Sequence, residues 1–171
     1  MTLIATPSDM PETEHQQSAA SIAVSIQTGV FDVADEIDRL VTASGNVGGV
    51  VTFTGHCRDE SGTLSALELE HYPGMAEAEI ERICQLAAER WPLFGVRVVH
   101  RFGKLEPGEA IVLVAAASRH RKAAFAASEF VMDFLKTNAP FWKKEHRIDG
   151  TQGAWVDARE ADDEALKRWN T

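Results

Sequence analysis

The sequence predicts an α+β fold, a single domain with a mixed or antiparallel sheet and packed helices. Three observations carry this: apolar β-branched runs of strand length, amphipathic stretches with recognisable helix ends, and no regular alternation of strand and helix. At 171 residues and 44% apolar content the chain can bury one sizeable core without disulfides or metals. No internal repeat and no second domain are evident.

Ile22, Val24 and Ile26 alternate with small or polar residues, as in a half-buried strand. Asp32 then reads as an N-cap with Asp35 three residues on, Ile37, Leu40 and Val41 form an apolar stripe, and Gly45 is placed to end that helix. Residues 48–55, GGVVTFTG, read as a buried strand. Residues 63–71 resume strand character, with Leu67, Leu69 and His71 on one face, and the DESG segment between the two strands reads as a hairpin connection. Pro73 suits the first turn of a helix carrying Ile80, Ile83 and Ala87 inward, which the pair Trp91 and Pro92 breaks. Val96, Val98, His100 and Phe102 mark another strand, and the turn LEPGE leads into AIVLVAAAS, a strand apolar enough to be buried on both faces. A helix over 120–136 follows, with Ala124, Ala127, Val131 and Leu135 inward, and Pro140 must end or redirect it. A short strand over 154–159 and a last helix over 162–169 complete the reading, so that residues 21–171 form the domain. Residues 1–20, rich in Ser, Thr, Pro, Glu and Gln, read as a disordered tail.

A net charge of −9 argues against a general nucleic-acid binder, which needs a large basic face. The N-terminal stretch lacks the features of a secretory signal and no segment reaches membrane-spanning length, so a cytoplasmic protein without a membrane is expected. Cys57 and Cys84 form no CxxC and suit a reducing compartment. The six histidines show no metal-ligand spacing, and no GxGxxG, P-loop or GxSxG is present.

The informative feature is a local inversion of charge. Residues 119–147 carry seven basic side chains (Arg119, Arg121, Lys122, Lys136, Lys143, Lys144 and Arg147) against Glu129, Asp133 and Glu145, a local +4 that leaves −13 on the rest of the chain. Such a patch focuses its field on a small anion while the acidic remainder repels polyanions. Arg119, His120, Arg121 and Lys122 fall where a strand hands over to a helix, and a helix N-terminus favours anions and disfavours cations. The conflict points to a bound anion; the bland alternative is that the side chains extend into water. Lys136 and Lys143 frame KTNAPFWK, where Pro140 forces a turn and Phe141 and Trp142 serve as packing anchors. A lysine shielded there and crowded by other cations loses affinity for its proton and becomes usable as a base or nucleophile, although a surface pair is the plainer reading. Cys57 beside His56 does not imply a dyad, because neighbours on an extended strand point to opposite faces.

Six collinear segments, VVTFTGHCRD, LELEHYPGM, RWPLFGVRVVHRFGKLEPGE, SRHRKAAF, FLKTNAPFWKKE and WVDARE, resemble the large, catalytic subunit of the molybdopterin synthase family, also called the MoaE family. The resemblance runs over about 48–169. It implies an α+β fold with an α/β-hammerhead-like subdomain, and a homodimer flanked by two small ubiquitin-like subunits in a heterotetramer. It also implies a sulfurtransferase of molybdenum-cofactor biosynthesis. The small subunit's C-terminal Gly-Gly thiocarboxylate would deliver two sulfurs to cyclic pyranopterin monophosphate, with no metal or organic cofactor. By position, Lys136 and Lys143 match the family's active-site lysines, and Arg58, His120 and Arg121 its phosphate-binding positions. His56, Cys57, Lys144 and Glu145 border that pocket, and Arg159 matches an arginine expected to reach the site from the same or a neighbouring protomer. The competing reading is a non-catalytic module that binds an anion or a peptide tail through the same basic residues.

Overall fold

The computed structural model describes residues 19–137, 139–156 and 168–169. The elements run β1 (Ser21–Gln27), α1 (Val33–Ser44), β2 (Gly49–His56), β3 (Leu64–His71), α2 (Met75–Arg90), β4 (Leu93–Arg101), β5 (Gly103–Leu105), β6 (Ala110–Ser118), α3 (Arg121–Thr137), β7 (Phe141–Arg147) and β8 (Gln152–Val156). They form two four-stranded sheets, ordered β1-β4-β6-β2 and β5-β3-β7-β8. In the first, β1 runs parallel to β4 and the other pairs are antiparallel; the second is antiparallel throughout. This is the expected α+β class with a mixed sheet.

The first sheet is covered on both faces, which explains why β6 is apolar along its whole length. Val112, Val114 and Ala116 join Ile80, Ile83, Cys84 and Ala87 of α2 and Ala127, Phe130 and Val131 of α3 in the main core. The alternate residues Leu113, Ala115 and Ala117 meet Leu40 of α1 on the other side. Period-two alternation thus sorts one strand between two apolar layers. Alpha helix α1 starts as its sequence indicates: the Asp32 carboxylate accepts from the amides of Ala34 (2.8 Å) and Asp35 (3.1 Å). Gly45 ends it at φ 59°. The α1 side of the sheet also holds a buried ion pair, Glu36 with Arg97 of β4.

Three expectations need correction. The DESG segment does turn the chain, with Asp59 accepting from the amides of Ser61, Gly62 and Thr63, but β2 and β3 do not pair. Each is claimed by a strand distant in sequence, β2 by β6 and β3 by β7 and β5, so the turn passes the chain from one sheet to the other. Pro73 precedes the helix rather than occupying its first turn; Gly74 is the N-cap, and Glu77 reaches back to accept from its amide at 2.8 Å. Past Pro140, Phe141–Arg147 forms a strand, because β3 offers it a full antiparallel partner. The short final strand begins earlier than expected, at Gln152. The proposed tail over 1–20 lies almost wholly outside the described residues, as does the last helix except for Arg168 and Trp169. No described helix is long and apolar enough to cross a membrane.

Candidate functional site

The two sheets meet at one end of the first, where β2, β4 and α3 deliver the chain toward β3, β5 and β7. The segment after β2 is stitched to the β5–β6 turn: Cys57 donates its amide to the Glu109 carbonyl, and Gly108 donates to the Cys57 carbonyl, both at 2.8 Å. The Arg101 side chain, 8% exposed, locks the same corner by donating to the Thr28 and Ala110 carbonyls and pairing with Glu109 at 3.1 Å. Arg58 emerges from this corner into solvent and pairs with Glu60. His56 lies beside it, its Nδ1 3.0 Å from the Gly108 carbonyl oxygen.

Cys57 itself is 3% exposed, and its Sγ donates to the Leu105 carbonyl. Burial pushes its thiol pKa up, with the Glu109 and Asp59 carboxylates adding to the effect. An inaccessible, protonated thiol neither lines a pocket nor attacks a substrate, so the side chain drops out of the predicted binding set. Cys84, pushed up to about 12 by burial in the main core, is inert for the same reason.

The two lysines reach the joint from different elements. Lys136 lies in the last turn of α3, where a cation suits the negative end of the helix dipole. Lys143 lies on β7 opposite Leu69, on the strand face that also carries Phe141 and Glu145. Phe141 stacks on His100 of β4, ring centroids 3.8 Å apart, which fastens the start of β7 to the end of the first sheet. Trp142, by contrast, is 42% exposed and points to the opposite face, so only one of the two predicted aromatic anchors packs, half-buried, against the core.

Lys144 points away from Lys143. It sits on the outer face of the second sheet, its ammonium 5.7 Å from the Trp155 ring centroid and opposite Glu68. Glu68 accepts from His146 Nε2 at 2.7 Å, and that bond holds its carboxyl below the usual carboxylate range despite opposing burial; Lys104 and Lys144 help. A strand pleat cannot send neighbouring side chains into one pocket, so Lys144 is separated from Lys143 and Glu145.

His120 and Arg121 are elsewhere. Ser118, fully buried at the end of β6, donates its Oγ to the Pro92 carbonyl and accepts from the His120 amide, which turns the chain into α3. There Arg119, His120, Arg121 and Lys122 are exposed, and the first helical turn holds no acidic residue. Gly48 backs this turn so closely that a Cβ would stand 2.1 Å from the Arg119 carbonyl oxygen. The ladder running from Gly49↔Ser118 to His56↔Ala110 separates this turn from the joint by roughly 23 Å. The basic run read as one patch is therefore split within a single chain. Residues His56, Arg58, Lys136, Lys143 and Glu145 belong to the joint end, while His120 and Arg121 stand at the far end. Arg159 lies outside the described residues.

Sequence reasoning missed His100 and His71 as members of the joint; their strand positions gave no sign that two sheets meet across their rings. His71 is tilted against Phe102 at 4.5 Å and Phe141 at 6.0 Å.

Comparisons with known proteins agree with this architecture. A curated relative from Mesorhizobium japonicum, named molybdopterin synthase catalytic subunit, is 64% identical over 148 residues, covering 86% of this chain and 93% of the relative. The solved structure of a molybdopterin biosynthesis MoaE protein from Burkholderia ambifaria superposes with a TM-score of 0.75 at 48% identity, covering 89% of this chain and 99% of that one. A molybdopterin synthase structure from Staphylococcus aureus gives a TM-score of 0.66 at 32% identity, covering 75% and 95%. Residues 26–138 match the family described as MoaE protein. With that match spanning well over half its length, the chain belongs to the MoaE protein family.

Proposed function

We propose that this chain is the catalytic subunit of a cytoplasmic molybdopterin synthase, a sulfurtransferase of molybdenum-cofactor biosynthesis. Its partner is a small ubiquitin-like subunit ending in a Gly-Gly thiocarboxylate, and its substrate is cyclic pyranopterin monophosphate. The observation that carries this reading is the arrival of Lys136 and Lys143 at one joint from separate elements, in a chain 64% identical to a catalytic subunit of that name.

Lys136 meets or polarises the acyl carbon of the thiocarboxylate, and Lys143 stabilises negative charge on the substrate or intermediate. In each transfer the carbon–sulfur bond of the thiocarboxylate breaks and sulfur replaces an oxygen on the pterin side chain, that carbon–oxygen bond breaking and its oxygen leaving with the opened phosphate or as water. A water molecule adds to the tail's acyl carbon and leaves the tail a carboxylate. Arg58 offers a forked donor to the substrate phosphate. His120 and Arg121 reach the same substrate only from a second copy, because roughly 23 Å separates them from the lysines within one chain. Hence the working unit is a homodimer, each site drawing on both protomers, with one small subunit per site.

Reconstitution with a thiocarboxylated small subunit and cyclic pyranopterin monophosphate tests this by the appearance of dithiolene product. Lys136→Ala and Lys143→Ala each abolish turnover while binding persists. Mixing Arg121→Ala with Lys143→Ala after subunit exchange restores about a quarter of wild-type sites, since half the dimers are mixed and each regains one intact site. Unchanged turnover in both lysine variants removes the lysines from the mechanism, and binding without dithiolene product in the wild-type reconstitution leaves a non-catalytic anion- or tail-binding module; no recovery in the mixture removes the two-protomer site.

A further inference from the structure

We propose that His100 is a positioning residue: its buried ring is the surface on which Phe141 stacks, and through Phe141 it fixes where the Lys143 side chain leaves β7. The inference rests on the reading that Lys143 serves sulfur transfer, and it assigns work to a residue that no step of that chemistry uses.

His100 is the penultimate residue of β4, 8% exposed, and held on both sides by the ladders to Ile26 of β1 and Val112 of β6. Its Nδ1 lies 2.9 Å from the Arg101 carbonyl oxygen, which can only accept, so Nδ1 carries the proton and the ring is fixed as one neutral tautomer. The ring then lies nearly flat on Phe141, at 3.8 Å and 19°. Phe141 opens β7, and Lys143 follows two residues later on the same strand face. Lys143 is near enough for its charge to oppose protonation of His100, as does His71 across the ring of Phe141. Of the other charged groups described nearby, Glu77 of α2 faces His71 at 3.8 Å, and Arg101 is turned to Glu109. The imidazole therefore meets two requirements together: a flat partner for Phe141 and no positive charge beside Lys143. An aliphatic residue would satisfy only the second. Along the main chain, β7 follows α3 after a short connection containing Pro140, and the stack is a contact that ties this strand's start to the first sheet.

The test compares His100→Leu, His100→Phe, Phe141→Leu and the double variant His100→Leu/Phe141→Leu in the reconstituted reaction with saturating small subunit, alongside thermal melting. His100→Leu and Phe141→Leu each lower kcat about tenfold with KM for the pterin changed less than about twofold, and the double variant is no slower than the worse single. His100→Phe, which keeps a flat uncharged ring, recovers at least about half of the wild-type kcat. Should His100→Leu fail to fold, Phe141→Leu and His100→Phe decide the matter. The proposal is overturned by a folded His100→Leu with wild-type kcat, by His100→Phe as slow as His100→Leu, or by Phe141→Leu with unchanged kcat. Losses that multiply in the double variant also overturn it. A Lys143→Ala variant with full turnover would instead remove the catalytic reading beneath it.

Discussion

Acid weakens this fold through His100 before it protonates most carboxylates. Burial, with the positive charges of Lys143 and His71 adding to it, pushes the imidazole pKa down to about 4 against the bond to the Arg101 carbonyl. The unfolded chain takes up the proton near the ordinary value of about 6.5, so between these limits the unfolded state binds more protons than the folded one. Stability is accordingly whole above the window and falls as pH falls through it. From near pH 7 to near pH 5 the loss amounts to about 2 kcal/mol, close to the limit of about 1.4 kcal/mol per pH unit for a single proton. Urea unfolding of the wild-type chain and His100→Phe at both pH values measures it. Whatever the other histidines and the carboxylates contribute appears in both proteins and cancels in the difference. The wild type should lose about 2 kcal/mol more than the variant on acidification; equal losses would falsify the assignment of the proton to His100.

Three further outcomes are expected. Glu36→Gln leaves Arg97, 11% exposed, without its charged partner between α1 and β4 and costs about 3 kcal/mol in chemical unfolding; a loss below about 1 kcal/mol would show that the pair is dispensable. Gly48→Ala pushes a methyl against the Arg119 carbonyl and costs about 2 kcal/mol, while also reducing turnover because the turn bearing His120 and Arg121 must move; wild-type melting and activity together refute this. Both thiols resist iodoacetamide in the native protein and react in urea, and Cys57→Ala keeps turnover within about twofold; rapid native labelling at Cys57 would contradict its burial.

What could be read from the sequence was whatever is encoded locally. The alternation of β1, the apolar run of β6, the Asp32 cap and the stripe of α3 all announce structure within a few residues of themselves. Pairing partners do not. Asp59 and its neighbours carry turn chemistry, but nothing nearby says that the next strand joins another sheet. Beta strand β7 was hidden for a related reason: Phe-Trp-Lys-Lys-Glu-His-Arg has no apolar alternation, and its register with β3 is settled some seventy residues away in sequence. The site was legible as charge and as family likeness, whereas the division of that charge between two ends of a sheet follows from strand direction alone.

Alpha helix α3, 17 residues long, spans nearly the same length as the β2–β6 ladder it crosses, about 24 Å from its first residue to its last at 1.5 Å per step, with Arg121 at one tip and Lys136 near the other. It behaves as a ruler whose graduations also rotate. Inserting one residue would advance Lys136 by about 1.5 Å yet swing it through about 100°, away from the direction it now takes. Length changes among kindred chains should therefore collect in the surface loops and spare this rod, or arrive in whole turns that restore its phase.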